Sequence, residues 1–289
     1  MADSSSKATL PLILAALNTE QETLRAQGIE PQTLVAIYND FIQRKPELTD
    51  IAEMTTGTLL LAREVHAVRY RVKDPLHLLR KVIRKKSEYP ERNIDEHNYL
   101  DWINDLVGVR VMHLYKELWR ATGQFIQETW KLKRPPIAYV AAGESGPLVQ
   151  QFIDAGYDIR QHAHGYRAVH FVICTQPNKQ RYFVEVQLRT LFEEGWSEID
   201  HAIRYPDHIC SAFVRDLLNI LNRMTGQADL MAAFIKSILN KAQGQALLTT
   251  EEKRQLLAQL EALPVTDVEK QRLHDHLQRM MAGGNTGQV

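Results

Sequence analysis

The segment 181–190 constrains the fold of this chain more than any other, because its apolar and polar residues alternate with a period of two. The apolar positions are Tyr182, Val184, Val186 and Leu188. Successive side chains of a β-strand point to opposite faces, so this period predicts a strand with one buried face. The opposite face carries Glu185, Gln187 and Arg189 in a row. A carboxylate, an amide and a guanidinium on a rigid strand suit a site for charged groups, although a solvated strand face explains the same pattern.

Apolar periodicity divides the chain into three parts. It is helical from about 10 to 44 with a break at 28–31, alternates between strands and helices from about 65 to 204, and is helical again after 210. This order predicts an α/β fold: a mixed sheet of about five strands, helices on its faces, and helical extensions at both ends. The expected domains are an N-terminal helical extension (1–60), a central domain (61–209) and a C-terminal helical extension (210–289) that ends in a disordered tail.

The central part contains the elements that position the polar strand. The predicted strands are 65–73, 106–114, 169–175 and 181–189, and the predicted helices are 75–86, 116–132 and 191–204. The short connection 176–180 makes the last two strands an antiparallel pair, so the sheet is mixed. The stretch 135–163 contains glycines and prolines, and we expect it to be a long loop over the site.

Composition places the chain among ordinary globular proteins. The 289 residues can form one large domain or two small ones, and 44% of them are hydrophobic. The formal net charge is zero, so the total shows no general nucleic-acid footprint, although a local basic patch remains compatible with it. The start resembles no signal peptide, and no stretch reaches the roughly 18 apolar residues of a membrane span. The sequence therefore predicts a cytoplasmic protein with no membrane contact and disordered ends.

Cationic residues lie on two neighbouring predicted elements. The strand row consists of Arg69, Arg71 and Lys73, which share a face because they are two residues apart. Asp74 and Pro75 then suit the N-cap and first position of a helix. One side of that helix carries His77, Arg80 or Lys81, and Arg84. Two adjacent cationic faces can hold a triphosphate from two directions. A solvated basic helix is the alternative, but it explains the strand row poorly.

Asp105 stands immediately before a strongly apolar strand. Magnesium in proteins takes one or two carboxylates together with substrate phosphates, so a carboxylate at the mouth of a buried strand is a candidate Mg²⁺ ligand. An aspartate before a strand is more often a turn or cap residue, so this position alone decides nothing.

A short glycine-containing segment precedes the strand at 169–175. Gly165 permits a tight turn that presents Tyr166, and an exposed tyrosine can stack on a nucleic-acid base. His170 is expected beside it at the start of the strand. Ordinary packing of the tyrosine is the alternative interpretation.

Together these residues resemble the RelA/SpoT-type alarmone synthetase family. The segment 71–73 with Lys81 and Arg84 is similar to the family's adenosine- and phosphate-binding pattern. The segment 105–110 is similar to its Mg²⁺-binding aspartate motif, and the residues at 165–170 are similar to its base-stacking loop. The segment 185–190, with Trp196, Glu198 and His201 after it, is similar to its second acidic motif and the following helix. The order and spacing agree, and the resemblance covers roughly 60–206.

The resemblance implies a nucleotidyltransferase-like core that moves the β,γ-pyrophosphate of ATP to the 3′-hydroxyl of an acceptor nucleotide such as GDP or GTP. The implied ATP-binding residues are Arg71, Lys73, Lys81 and Arg84. The implied catalytic and Mg²⁺-binding residues are Asp105 and Glu185, with Glu185 as the base or the orienting group for the hydroxyl. The implied acceptor-binding residues are Tyr166, His170, Gln187, Arg189 and His201. No hydrolase or regulatory segment is recognisable, so the chain is expected to be a small stand-alone synthetase.

Departures from the family pattern concentrate on the acceptor side. The family has Ser where this chain has His77, Lys and Asn where it has His162 and His164, and Ser where it has Ala168. Three interpretations follow: a guanosine tetra- or pentaphosphate synthetase, a toxin of the same fold that modifies adenosine nucleotides or the 3′ end of tRNA, and a non-catalytic nucleotide binder. Two acidic groups argue against the last. The apolar C-terminal helices predict a homo-oligomer, an antitoxin surface, or packing onto the sheet.

Overall fold

The computed structural model describes residues 7–162, 164–204, 211–243 and 249–282. The predicted disordered ends, apart from Lys7, lie outside the described residues. The helices are α1 (Leu10–Leu17), α2 (Gln21–Ala26), α3 (Pro31–Leu59), α4 (Pro75–Glu88), α5 (Tyr99–Trp102), α6 (Trp119–Thr129), α7 (Pro147–Asp154), α8 (Leu191–Arg204), α9 (Ala212–Gln243), α10 (Thr250–Glu261) and α11 (Asp267–Ala282). A short 3₁₀ helix, Lys116–Leu118, precedes α6.

The strands form a single mixed sheet. They are β1 (Ala67–Val72), β2 (Val107–His113), β3 (Lys131–Leu132), β4 (Ile137–Ala141), β5 (Asp158–His162), β6 (Ala168–Thr175) and β7 (Tyr182–Thr190). Their order is β1-β2-β7-β6-β4-β5, and β3 pairs with β6 beside β4. The pairs β2–β7 and β4–β5 are parallel, and the remaining pairs are antiparallel. The α/β class and the mixed sheet are confirmed, with seven strands rather than about five.

The prediction of a long loop over 135–163 was wrong. This stretch contains β4, α7 and β5, and its two strands extend the sheet beyond β6. The sequence signal for β5 is weak because the strand lies at the sheet edge and none of its five side chains is fully buried, with three of them exposed. The end of the predicted helix 116–132 was also wrong, since its last two residues form β3.

The polar strand 181–190 has the predicted alternation. In β7 the side chains of Val184, Val186 and Leu188 are buried, while Glu185 and Gln187 on the other face are partly exposed. Helices α1–α3 pack against the buried face, and their apolar residues share one core with β2 and β7. The residues of 1–60 that the structure describes therefore belong to the same core as the sheet.

Local contacts explain where α4 begins. The Oδ1 of Asp74 accepts hydrogen bonds from the backbone N–H groups of Leu76 at 2.9 Å and His77 at 3.0 Å, and Pro75 takes the first helical position. Both features were predicted. Because the cap fixes the start of α4 directly after β1, the two cationic faces lie next to one another.

The C-terminal helices form a second, smaller core. Phe234 of α9 packs with Leu256 and Leu260 of α10, and with Leu263 and Leu277. The first half of α9 contacts α8, and Trp196 Nε1 donates to the backbone oxygen of Leu218 at 3.1 Å. Among the residues that the structure describes, no helix is both long and apolar enough to cross a membrane.

Candidate active site

Strand register brings the predicted site residues into two rows on one face of the sheet. Arg71 pairs with Gly108, and Gly108 pairs with Glu185 on the next strand. The neighbouring row runs from Arg69 through Arg110 and Gln187 to His170. Directly paired residues of adjacent strands project from the same face, so β1, β2, β7 and β6 contribute side chains to one surface.

Asp105 lies between two lysines at the mouth of β2. Its Oδ2 is 2.7 Å from the Nζ of Lys73, which follows β1, and its Oδ1 is 2.8 Å from the Nζ of Lys81 on α4. All three side chains are largely buried, with 14% of Asp105 exposed. The predicted Mg²⁺ ligand, Asp105, therefore forms largely buried ion pairs with two of the predicted phosphate ligands, Lys73 and Lys81.

The pKa values of this triad reflect burial and mutual attraction. Burial alone raises the pKa of Asp105, but the ammonium groups of Lys73 and Lys81 lower it below its ordinary value. The negative charge of Glu185 acts in the opposite direction, since it raises the pKa of Asp105. Burial lowers the pKa of Lys73, and Asp105 opposes this. The two acidic groups of the predicted site are thus close enough to repel each other.

The other two predicted ATP ligands are more exposed. The side chain of Arg71 lies against Gly108 of β2, where a Cβ would make ordinary van der Waals contact, at 3.6 Å, with its Cγ and Nε. Arg84 points outward, with 63% of its side chain exposed, and its Nε lies 3.5 Å from Glu88.

His201 lies near charged residues of β1, β2, α4 and α8. Partial burial lowers its pKa, and the charges of Arg71, Arg110 and His77 lower it further, while Glu198 raises it. Its assignment to the acceptor stays a prediction.

Five side chains close a ring of hydrogen bonds, which we call the acceptor ring: Tyr166, His170, Glu185, Gln187 and Arg189. The hydroxyl of Tyr166 lies 2.7 Å from His170 Nε2 and accepts from Arg189 Nη2 at 2.6 Å. His170 Nδ1 is 3.4 Å from Glu185 Oε1, and Gln187 Nε2 donates to Glu185 Oε2 at 2.7 Å. Arg189 Nη2 also donates to Gln187 Oε1, which closes the ring.

Two assignments of protons satisfy the ring. A neutral His170 accepts from the Tyr166 hydroxyl at Nε2 and donates from Nδ1 to Glu185, whereas a protonated His170 donates at both nitrogens and the hydroxyl accepts from both His170 and Arg189. Glu185 receives hydrogen bonds on both oxygens. Burial raises its pKa, but the bond and charge of His170, the bond from Gln187 and the charge of Lys81 lower it to about 2. A carboxylate with this pKa is a weak Brønsted base and a good hydrogen-bond acceptor.

Tyr166 is held at its hydroxyl and along its ring edge. Its ring centroid lies 5.4 Å from that of His162, 5.7 Å from Tyr139 and 5.7 Å from His170. The side chain is half-buried, and burial raises its pKa to about 12, so the hydroxyl stays protonated. The tight turn predicted before it is present, and Gly165 suits it because its φ of +71° is readily adopted by glycine.

Arg189 does not present its guanidinium to solvent. Its side chain is 2% exposed, and Nη1 donates to Glu194 Oε2 at 2.9 Å. Sequence reasoning assigned Arg189 to acceptor contact because it continues the row of Glu185 and Gln187. In the structure its guanidinium is buried and donates hydrogen bonds to Tyr166 and Gln187.

Sequence reasoning missed three residues that support the site. Arg110 donates to Glu194 Oε1 at 2.9 Å, and Asn222 of α9 donates its Nδ2 to the backbone oxygen of Gly165 at 3.0 Å. A Cβ on Gly165 would lie 2.8 Å from Asn222 Oδ1. Alternation along β2 could have indicated Arg110, because it is a charged residue within a buried strand. Nothing local to Asn222 indicates its partner, which lies 57 residues away.

The acidic groups suit a metal that also binds its substrate. The described residues include no group of three or more His, Cys, Asp or Glu that could hold a metal ion. Asp105 and Glu185 are two carboxylates, which matches the one or two that Mg²⁺ takes from protein when substrate phosphates complete its shell. The donor set is therefore compatible with Mg²⁺ carried in with a nucleotide.

Residues 70–209 match a family profile described as the region found in RelA and SpoT proteins. The match identifies this part of the chain as similar to the RelA/SpoT family. It runs from β1 to the end of α8, so it contains every predicted site residue. No curated protein sequence matches the chain.

Two solved structures share the RelA/SpoT fold seen here. The small alarmone synthetase 1 of Bacillus subtilis aligns with a TM-score of 0.52 and 18% identity, over 68% of this chain and 94% of that one. A Streptococcus mutans protein aligns with a TM-score of 0.50 and 17% identity, over 71% of this chain and 96% of that one. At this identity the likeness establishes the fold.

Proposed function

We propose that the protein is an ATP-dependent pyrophosphokinase that transfers the β,γ-pyrophosphate of ATP to the 3′-hydroxyl of a guanosine nucleotide, GDP or GTP. One observation carries the proposal: in a RelA/SpoT region, Asp105 is held by two lysines next to a second buried carboxylate, Glu185. A triphosphate and a divalent cation together satisfy every one of these charges, whereas neither does so alone.

The proposed ATP site lies between β1 and α4. Lys73 and Lys81 turn from Asp105 to the phosphates, while Arg71 and Arg84 bind from the open side. Asp105 and Glu185 would hold Mg²⁺, which would supply positive charge against the charge that develops on the transferred group. Lys73 is buried and Lys81 nearly so, so their contacts with phosphate are little screened by solvent.

The proposed acceptor site lies along the acceptor ring. Tyr166 stacks on the base, and Glu185 accepts a hydrogen bond from the 3′-hydroxyl and orients its oxygen. That oxygen forms a bond to the β-phosphorus as the bond from the β-phosphorus to the α-phosphate oxygen breaks, and AMP leaves with the proton of the hydroxyl on its phosphate. The low pKa of Glu185 favours the orienting role over that of a base.

A toxin of the same fold remains the second candidate. The ring centroid of His162 lies 5.4 Å from that of Tyr166 and 5.9 Å from that of His164. Burial and the charge of His164 lower the pKa of His162, so this histidine adds no fixed positive charge to the acceptor side at neutral pH. An acceptor other than a guanosine di- or triphosphate is consistent with that difference from the family pattern.

The test is a product assay with labelled ATP and Mg²⁺ against GDP, GTP, ADP, AMP and deacylated tRNA, each separately. A labelled guanosine product supports the synthetase. A labelled adenosine nucleotide or tRNA supports the toxin. Glu185→Gln serves as the inactive control, and absence of transfer to all five acceptors contradicts both candidates.

A further inference from the structure

A series of alternating charges lies next to the acceptor ring, on the same face of the sheet. We call it the charge series: Arg189, Glu194, Arg110, Glu198 and Arg69. Arg189 and Arg110 donate to the two oxygens of Glu194, each at 2.9 Å. Arg110 also binds Glu198, which lies 3.6 Å from Arg69 on β1. Helix α8 supplies both carboxylates, and the sheet supplies the three guanidinium groups.

The charge series meets the acceptor ring at Arg189. One terminal nitrogen, Nη1, is bound by Glu194, and the other, Nη2, donates to the Tyr166 hydroxyl and to Gln187. A guanidinium is planar and its nitrogens form a rigid fork. The position of Glu194 therefore sets where Nη2 lies, and with it where the tyrosine hydroxyl lies.

Glu194 is fixed by two cations rather than one. With both oxygens engaged, the carboxylate cannot rotate without breaking a charge-assisted bond. Only 15% of the Arg110 side chain is accessible. Burial lowers the pKa of Arg110, but its two acidic partners, Glu194 and Glu198, raise it above its ordinary value. Glu198 is 41% exposed, so it lies at the solvated end of the series.

We propose that Arg110 and Glu194 are positioning residues for the acceptor: they orient Arg189, and through it Tyr166 and Gln187, without touching either nucleotide. The inference rests on the proposed function, because it requires Tyr166 to bind the acceptor. It adds that acceptor affinity is set by residues beside the acceptor ring on the same face of the sheet, through the buried ion pairs of Glu194 with Arg189 and Arg110.

The first test is Glu194→Gln, assayed by steady-state kinetics. The acceptor's KM is expected to rise about ten-fold, while the KM of ATP stays within about two-fold. A change confined to general stability would alter neither constant selectively. Glu128→Gln, an exposed glutamate on α6, is the matched control and is expected to leave both constants unchanged.

A double-mutant cycle separates positioning from independent damage. If Glu194 acts through Tyr166, Glu194→Gln has no further effect on the acceptor's KM once Tyr166→Ala is present. Additive effects of the two changes overturn the inference. Wild-type protein that transfers no pyrophosphate overturns the proposed function instead, so the two failures are distinguishable.

A pair of changes at Arg110 tests the same inference without altering Glu194. Arg110→Lys keeps a cation beside Glu194 and is expected to preserve most acceptor affinity, whereas Arg110→Met is expected to lose it about as Glu194→Gln does. Equal acceptor constants for the lysine and methionine variants contradict the inference. The Arg110 pair decides the question even where Glu194→Gln fails to fold.

Discussion

At the scale of single residues, the ion pairs of Asp105 link the binding of a metal ion to the binding of a nucleotide. Its two oxygens are bound by Lys73 and Lys81, the same groups proposed to bind phosphate. Drawing both lysines to a metal-free nucleotide leaves a buried carboxylate without partners, a change that costs roughly 3–5 kcal/mol in comparable buried pairs. The metal and the nucleotide are therefore expected to bind together.

Asp105→Asn is expected to bind metal-free ATP at least about ten-fold more tightly than the wild type, because no buried carboxylate is left unpaired. The same change is expected to remove most of the gain that Mg²⁺ gives to ATP binding. Calorimetric titration with ATP, in EDTA and then in Mg²⁺, measures both. Asp101→Asn removes an exposed aspartate paired with Arg181 and is the control. Unchanged metal-free affinity in Asp105→Asn would show that the lysines are not restrained.

Tyr166→Phe keeps the ring and removes only the hydroxyl. Stacking alone predicts a mild effect, but in the structure that hydroxyl accepts from Arg189 and is also hydrogen-bonded to His170 Nε2. Its loss leaves Arg189 short of a buried acceptor, which costs roughly 1–3 kcal/mol. The acceptor's KM is expected to rise several-fold, with the KM of ATP unchanged, in steady-state assays. Tyr89→Phe, on the exposed surface, controls for tyrosine loss, and a wild-type acceptor constant in Tyr166→Phe would mean that only the ring matters.

At the scale of elements, α9 supports the loop that carries Tyr166. Asn222 bonds to the backbone of Gly165 and accepts from Arg167 Nη1 at 3.0 Å. Arg167 also reaches Glu144, which follows β4. The turn is thus held from two sides, by a C-terminal helix and by the segment that sequence reasoning assigned to a loop.

Gly165→Ala is expected to disrupt this turn. A φ of +71° is unfavourable for alanine, and its Cβ would lie 2.8 Å from Asn222 Oδ1. We expect a loss of roughly 1–3 kcal/mol in stability and a raised acceptor KM. Thermal unfolding and steady-state kinetics measure the two effects. Gly143→Ala, also at positive φ but with open space around it, isolates the contribution of Asn222. Equal losses in both variants would assign the whole effect to backbone strain.

The apolar stripe on the first half of α9 has a separate consequence. Its exposed residues are Phe213, Leu217, Ile220 and Met224. They recur at helical spacing along one side of the helix, which is typical of a face that packs against another chain. A homo-oligomer or an antitoxin is the proposed partner. Light scattering is expected to show loss of self-association in Leu217→Ser with Met224→Ser, and a monomeric wild type would rule out the homo-oligomer.

Elements with strong periodicity could be predicted, and those without it could not. The strands around Val109 and Val186 are buried on one face or both, so their sequences carry an unmistakable signal. Strand β5 is polar and lies at an edge, and the glycines at 143 and 146 made its surroundings look like a loop. The row of Glu185 and Gln187 was visible from alternation, whereas the burial of Arg189 depends on Glu194, which another element contributes.

At the scale of the whole molecule, one buried acid links the C-terminal helices to the active-site layer. Asp229 of α9 is 2% exposed. Burial and the charge of Glu193 on α8 raise its pKa to about 7, although Thr190, Lys116 and Arg167 act to lower it. A carboxyl whose pKa is higher in the folded than in the unfolded protein binds more protons when folded, so its burial destabilises the fold as pH rises.

Asp229→Asn is expected to be more stable than the wild type above pH 7. The difference should be absent below about pH 4, grow between pH 4 and 7, and reach at most about 4 kcal/mol at higher pH. Urea unfolding at a series of pH values measures it. Asp216→Asn changes another aspartate of the same helix as a control. A stability difference that does not depend on pH would contradict the assigned titration.

Helix α9 is 32 residues long, which corresponds to about 48 Å of stiff rod. Asn222, in the first half of the helix, donates to the backbone of Gly165 in the turn before Tyr166, and Phe234, in the second half, packs in the core with α10 and α11. Because both contacts lie on one continuous helix, a displacement of α10 and α11 is expected to shift the turn at Gly165, with no flexible linker between them to absorb it. A molecule that binds the C-terminal core is therefore expected to affect the loop that carries Tyr166 without contacting the nucleotides.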